Sequence, residues 1–285
     1  SNNWMEDITK QKALEKLEEM NYKIGYPEKW QDLTNIKVGN YNSFLRNVLS
    51  CMKFETDYDN SFLYQQKDTS LWFMSPHEVN AYYSPSYNEI VFPAGILQPP
   101  FFSKDYDMAV NFGSIGTVIG HEITHGFDDQ GRKYDKNGNL NDWWTEMDAE
   151  RYSTETDKLR ELFSSFTLEG KPVNGDLTLG ENIADLGGLS ISLKSLKKYL
   201  EMNPSENVII NGQTPYERFF MSYANIWKCK TRKEESIKRL TTDPHSPPCY
   251  RVNGIVVNMP EYYQVFNITN TSDMWLDESK RTNIW

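Results

Sequence analysis

His121, Glu122 and His125 stand in Val118-Ile-Gly-His-Glu-Ile-Thr-His-Gly-Phe127, in the order H-E-x-x-H. On a helix, residues four apart share a face, so both imidazoles would project to the same side. Two such nitrogens suit one zinc ion, which takes ligand atoms about 2.0–2.1 Å away in a roughly tetrahedral array. Glu122 would lie beside the metal, where a carboxylate can act as general base for metal-bound water. The same five residues also occur by chance on ordinary helices, so the motif needs a third ligand. A histidine at position 131 would complete a longer three-histidine pattern, but Gly131 stands there. Gly180-Glu-Asn-Ile-Ala-Asp185 offers two acids one helical turn apart. Either Glu181 or Asp185 can bind the metal while the other accepts the free ring N–H of a ligating histidine and so fixes its tautomer.

Helices must hold these residues. Around the first motif Ile115, Val118, Ile119 and Ile123 are apolar, with Gly113, Gly116 and Gly120 among them. Each glycine costs a helix roughly 1 kcal/mol relative to alanine, so packing against neighbours has to hold this one. Residues 180–201 read as a long helix, with Ile183, Leu186, Leu189, Leu193, Leu196 and Leu200 spaced by threes and fours. Residues 4–20 read as an amphipathic helix through Trp4, Ile8, Leu14, Leu17 and Met20, and 40–67, 145–167, 216–228 and 234–240 as further helices. Val79–Ser84 and Ile90–Phe92 read as a hairpin around a Pro-Ser-Tyr-Asn turn, and Asp128–Asp142 as a loop. A small sheet followed by many helices makes an α+β fold. His245 sits in a loop stiffened by Pro244, Pro247 and Pro248, with an irregular tail after it. A rigidly held histidine donates a hydrogen bond in either protonation state, which makes His245 a candidate to stabilise an oxyanion.

Composition narrows the classes. The chain has 285 residues, enough for one large domain or two small ones, and a net charge of −10. That charge argues against nucleic acid or an anionic membrane as partner. No run of 18 apolar residues suggests a membrane span. Cys51, Cys229 and Cys249 are odd in number and far apart, and form neither a metal motif nor a disulfide framework.

Asn80-Ala-Tyr-Tyr83, Val91-Phe-Pro-Ala-Gly-Ile-Leu-Gln-Pro-Pro-Phe-Phe102, Gly120-His-Glu-Ile-Thr-His-Gly-Phe-Asp-Asp129, Asp142-Trp-Trp144, Gly180-Glu-Asn-Ile-Ala-Asp185 and Asp243-Pro-His-Ser-Pro247 follow one another in this order. Together they resemble the catalytic half of the neprilysin family of zinc metallopeptidases, from about Lys23 to Trp285. The resemblance implies a thermolysin-like zincin core, with zinc on His121, His125 and Glu181, Glu122 as base, His245 as transition-state donor and Asp185 orienting a ligand histidine. Asp128 and Asp129, which could also be read as ligands, then fall to loop structure or to a bond behind a ligand. The resemblance further implies that the Asn80 side chain and Ala81 backbone hold the substrate main chain from an edge strand, and that Arg251 binds a substrate carbonyl. Phe101, Phe102, Val118 and Trp227 are expected to line the pocket for the apolar residue after the cleaved bond, although ordinary core suits them as well.

The expected protein is therefore a zinc endopeptidase that cleaves oligopeptides before hydrophobic residues by Glu-assisted attack of zinc-bound water. A catalytically impaired peptide-binding fragment and a zinc aminopeptidase are the alternatives. The family's large helical N-terminal domain has no counterpart here, which implies a fragment. The chain would then be a peptidase catalytic domain over 1–285, with sub-lobes at about 1–145 and 146–285. The expected partners are oligopeptides, with no nucleic acid, no membrane segment in the chain and a monomeric state. Animal members of the family are disulfide-rich, whereas this chain ends Thr282-Asn-Ile-Trp285 without a terminal cysteine. That points to a bacterial, cytoplasmic relative. Extracellular or periplasmic placement is the alternative, with the targeting segment outside this stretch.

Overall fold

The computed structural model describes residues 4–39 and 43–284. The sequence-predicted helix over 40–67 therefore begins outside the described residues, as do Ser1–Asn3 and the terminal Trp285.

The chain opens with helix α1 (Asp7–Glu18) and strand β1 (Asn21–Gly25), followed by helix α2 (Phe44–Ser61). Strands β2 (Tyr82–Ser84) and β3 (Glu89–Pro93) form the expected hairpin, with Tyr82 opposite Val91. β3 is central and fully buried, and β1 runs parallel to it on the other side, with Asn21 opposite Glu89. Asn80 and Ala81, expected on the hairpin strand, precede it. The Ala81 N–H turns back to the Asn80 side-chain oxygen at 3.0 Å, a local bond that delays the ladder until Tyr82.

A short helix α3 (Met108–Asn111) is capped by Asp107, whose Oδ1 accepts the Ala109 N–H at 3.0 Å. Five residues of wider π winding, Phe112–Gly116, carry it directly into α4 (Thr117–His125). Helix α5 (Glu146–Ser164) starts at a Thr145 cap, and α6 (Leu179–Met202) is the longest element described. Helix α7 (Pro215–Ile226) begins with a Thr214–Glu217 capping box and proline at its first turn. Then come α8 (Lys233–Thr242), α9 (Pro248–Val256) and α10 (Pro260–Phe266). The last two replace the irregular tail expected after the proline loop. Pro248 and Pro260 open helices, because proline at the first turn gives up only an N–H that has no helical partner.

The main core gathers the inward faces of α5, α6, α7 and α9 around Leu159, Phe163, Leu189, Leu196, Phe219 and Ile255. A smaller core (Ala81, Ile90, Phe92, Ile96, Ile115) seals the sheet against α4. Helix α1 departs from its expected amphipathicity: Ile8, Leu14 and Leu17 are 60%, 54% and 43% exposed, while Thr9 and Lys16 are buried. No described helix is long and apolar enough to cross a membrane.

Candidate active site

Helices α4 and α6 meet at glycine. A Cβ on Gly120 would stand 2.8 Å from the Gly188 Cα, and one on Gly188 would stand 2.7 Å from the His121 backbone nitrogen. Backbone therefore lies on backbone, and the histidines of α4 come within reach of the acids at the start of α6.

His121 Nε2 and His125 Nε2 are 3.0 Å apart, and Glu181 Oε2 lies 3.2 Å from the first and 3.5 Å from the second. The other nitrogen of each ring is spoken for: His121 Nδ1 is 2.8 Å from Asp185 Oδ1, and His125 Nδ1 is 2.7 Å from Asp128 Oδ2. With Nδ1–H donating to a carboxylate, each Nε2 presents its lone pair. Glu181 Oε2 is buried and accepts no well-directed hydrogen bond despite the three imidazoles around it. Three electron-pair donors thus crowd one point, an arrangement that a bound metal cation would satisfy. The ligand atoms of His121, His125 and Glu181 lie within 4.8 Å of one another. Tetrahedral ligands 2.0–2.1 Å from an ion sit roughly 3.3 Å from each other, and the donor set is one that zinc accepts. The residues fit the metal.

Charge behind the ligands is paired. Arg251 grips Asp185 bidentately, Nε to Oδ2 and Nη2 to Oδ1, both at 2.7 Å, and its guanidinium stacks 3.8 Å above the Trp227 ring. Burial pushes the Asp185 carboxyl up, but Arg251 and His121 outweigh it and hold the group below the usual aspartate range. Glu122 is buried with no cation so close. Desolvation, only partly opposed by His121 and His125, keeps its carboxyl above the ordinary glutamate range, as suits a proton acceptor and donor.

On the facing side, Asp243 Oδ1 accepts from the His245 backbone N–H at 2.9 Å and lies 2.8 Å from its Nδ1. This aims Nε2 inward, 3.3 Å from Glu181 Oε2. Ser246 anchors the loop by donating to Asn182 Oδ1 at 2.8 Å, deep against α6.

These groups line one cleft of about 670 Å³, together with Asn80, Ala81, Phe101, Val118 and Trp227. Phe102 lies outside it. The N–H groups of Phe101 and Phe102 both bond to Gln98 O in one tight turn; Phe101 lines the cleft, while Phe102 is exposed. Sequence reasoning missed Asn182, Ser246 and Asp243 as supports, and left Asp128 between two roles. The signal for all three was their place inside the quoted motifs.

Residues 80–282 match the model of Peptidase family M13. The chain belongs to that family, the neprilysin family. Within M13, it is 40% identical to human endothelin-converting enzyme 1 over 278 residues, 95% of this chain and 36% of that protein. Mouse membrane metallo-endopeptidase-like 1 is 39% identical, across 99% of this chain and 38% of its own length. The chain thus spans little more than a third of these curated relatives. Among solved structures, the inhibitor complex of the Mycobacterium tuberculosis zinc metalloprotease Zmp1 superposes with a TM-score of 0.95 at 45% identity, over 99% of this chain and 44% of that one. PepO from Lactobacillus rhamnosis HN001 gives 0.90 at 37% identity, over 100% and 44%. The helix-dominated α+β fold is the zincin-type fold of these M13 structures.

Proposed function

We propose that this chain is the catalytic part of a zinc-dependent endopeptidase that hydrolyses oligopeptides on the amino side of hydrophobic residues. The observation that carries the reading is the convergence of His121, His125 and Glu181 on one point, beside a buried Glu122, in the wall of a single cleft. A zinc ion on those three ligands would act as a Lewis acid toward the scissile carbonyl and let water ionise near neutral pH. Glu122 takes the proton of the attacking water and passes it to the departing amine nitrogen. His245 Nε2, aimed by Asp243, donates to the oxygen on which negative charge develops. Asn80 and Ala81 hold the peptide backbone at the mouth of the β2 edge. Asp185 occupies Nε and Nη2 of Arg251, so the substrate carbonyl falls to the remaining side of its fork. Phe101, Val118 and Trp227 give the cleft an apolar wall, which supports a hydrophobic residue after the cleaved bond.

The test pairs metal content with cleavage of an internally quenched, N-blocked peptide carrying Phe or Leu after the scissile bond. Glu122→Gln should keep about one zinc per chain and lose turnover by at least about 10²–10⁴-fold. Turnover near wild type in that variant would remove Glu122 from the mechanism. Cleavage of the blocked peptide by the wild-type chain separates endopeptidase from aminopeptidase.

A further inference from the structure

Lys16 reaches from α1 to the end of the histidine-bearing helix. Its side chain is 1% exposed, a rare state for lysine unless its charge is fully partnered. The ammonium donates to Gly126 O at 2.6 Å, Gly131 O at 2.8 Å and Tyr134 O at 2.7 Å, three donors on three acceptors. Gly126 closes α4, so its carbonyl is one of the helix-end groups that has no partner in the helix. The other two carbonyls belong to the turn-rich segment that follows.

That segment also carries Asp128, the partner of His125 Nδ1. Asp128 Oδ1 accepts the backbone N–H of Gln130 at 2.9 Å and of Gly131 at 2.6 Å. One loop is therefore gathered from two sides: Asp128 collects its N–H groups and Lys16 its C=O groups, with Gly131 held by both. The rings of Tyr83 and Phe127 lie 5.9 and 5.5 Å from the ammonium. Burial pulls the amine down from 10.5 to about 8 against the opposing pull of Asp128 and Asp135, so it stays charged at neutral pH.

We propose that Lys16 is a positioning residue for the metal ligand His125, acting through the 126–134 loop and Asp128. Helix α1, which precedes the residues matched by the M13 model, is then part of the scaffold of the metal centre. The inference rests on the reading that His121, His125 and Glu181 hold a metal.

The experiment measures zinc affinity by chelator competition and the visible spectrum of the cobalt(II)-loaded chain. Lys16→Met keeps the aliphatic stem but removes the ammonium from the helix-end carbonyl of Gly126, and leaves Gly131 O with only the Tyr134 N–H and Tyr134 O with only the Trp143 indole N–H. It should weaken zinc binding about 10–100-fold, the usual effect of losing a partner behind a ligand, and alter the cobalt spectrum. Lys23→Met is the control. Lys23 pairs with the buried Glu89 at 2.8 Å on the far edge of the sheet, so its loss should lower the melting temperature but leave zinc affinity and the spectrum as in wild type. Combined with Asp128→Asn, Lys16→Met should add little further loss, because both act on one loop. If Lys16→Met does not fold, Lys16→Arg keeps the charge in a planar fork that fits three converging carbonyls poorly, and should show the same loss at about 3–10-fold. A folded Lys16 variant with wild-type zinc affinity and spectrum overturns the inference. A wild-type chain that takes up no zinc overturns the metal reading and the inference with it.

Discussion

Helices α6 and α1 carry similar sequence signals and fold to opposite ends. In α6, Ile183, Leu186, Leu189, Leu193, Leu196 and Leu200 are all buried, as their spacing requires. In α1, Ile8, Leu14 and Leu17 face solvent, and the helix buries Thr9 and Lys16 instead. The difference lies in what each helix meets. α6 meets other apolar helices and loses water from its leucines. α1 meets the polar end of α4, where carbonyls without helical partners would cost about 1–3 kcal/mol each if buried unpaired. The Lys16 ammonium satisfies the Gly126 carbonyl there and adds a bond to Gly131 O and Tyr134 O in the loop that follows. The lysine therefore goes inward, although burying a leucine is worth roughly 1.5–3 kcal/mol. Apolar periodicity foretells burial where the neighbour is apolar; where the neighbour is a helix terminus, the side chain that can donate goes inward.

The largest effect should come from the α4–α6 contact. A side chain at Gly188 would meet Thr117 O at 2.5 Å and the His121 backbone, and none of these atoms can yield without parting the helices. Gly188→Leu should leave no cooperative thermal transition and no stoichiometric zinc. A variant that melts sharply and holds zinc would show that the crossing is looser than the backbone contact implies. A smaller loss follows from truncating the same helix on its apolar side. Leu193→Ala should cost about 2–5 kcal/mol in denaturant unfolding while zinc affinity at low temperature stays close to wild type, because the cavity forms away from Glu181. A cost under about 1 kcal/mol would mean that the core there collapses freely, and the contrast with α1 would lose one of its sides.

The same contrast separates what is legible in the sequence from what only the folded chain creates. His121 with His125, and Glu181 with Asp185, are one turn apart, so their chemistry is written in local spacing. The hairpin and helices α5–α8 follow from periodicity and turns. The features that escape sequence reasoning depend on partners distant in the chain. Arg251 reads as a substrate ligand, and nothing near it in sequence indicates that it grips Asp185, 66 residues away. Lys16 looks like any solvated lysine until Gly126, 110 residues on, presents its carbonyl. Phe101 and Phe102 are equivalent as text, yet Phe101 lines the cleft and Phe102 is exposed. α9 and α10 are hidden by prolines that break one helix and start another, a distinction that depends on the preceding residue being extended, as Pro247 and Met259 are.

The smallest effect should come from the outward residues of α1. If Lys16 and not the leucines fixes this helix, Ile8→Ser together with Leu17→Ser should shift stability by no more than about 1 kcal/mol, each site being worth the usual half of that or less. Zinc affinity should not change, and the melting temperature should be independent of protein concentration. A loss of about 2 kcal/mol or more would break the comparison, since it exceeds what exposed sites ordinarily contribute, and its dependence on concentration would say how. A loss that vanishes on dilution would mean that a second copy covers Ile8 and Leu17 in solution. A loss that persists at every concentration would mean that α1 is held by its apolar residues after all. The three hydrogen bonds of Lys16 would then be a consequence of where α1 docks and no longer its cause.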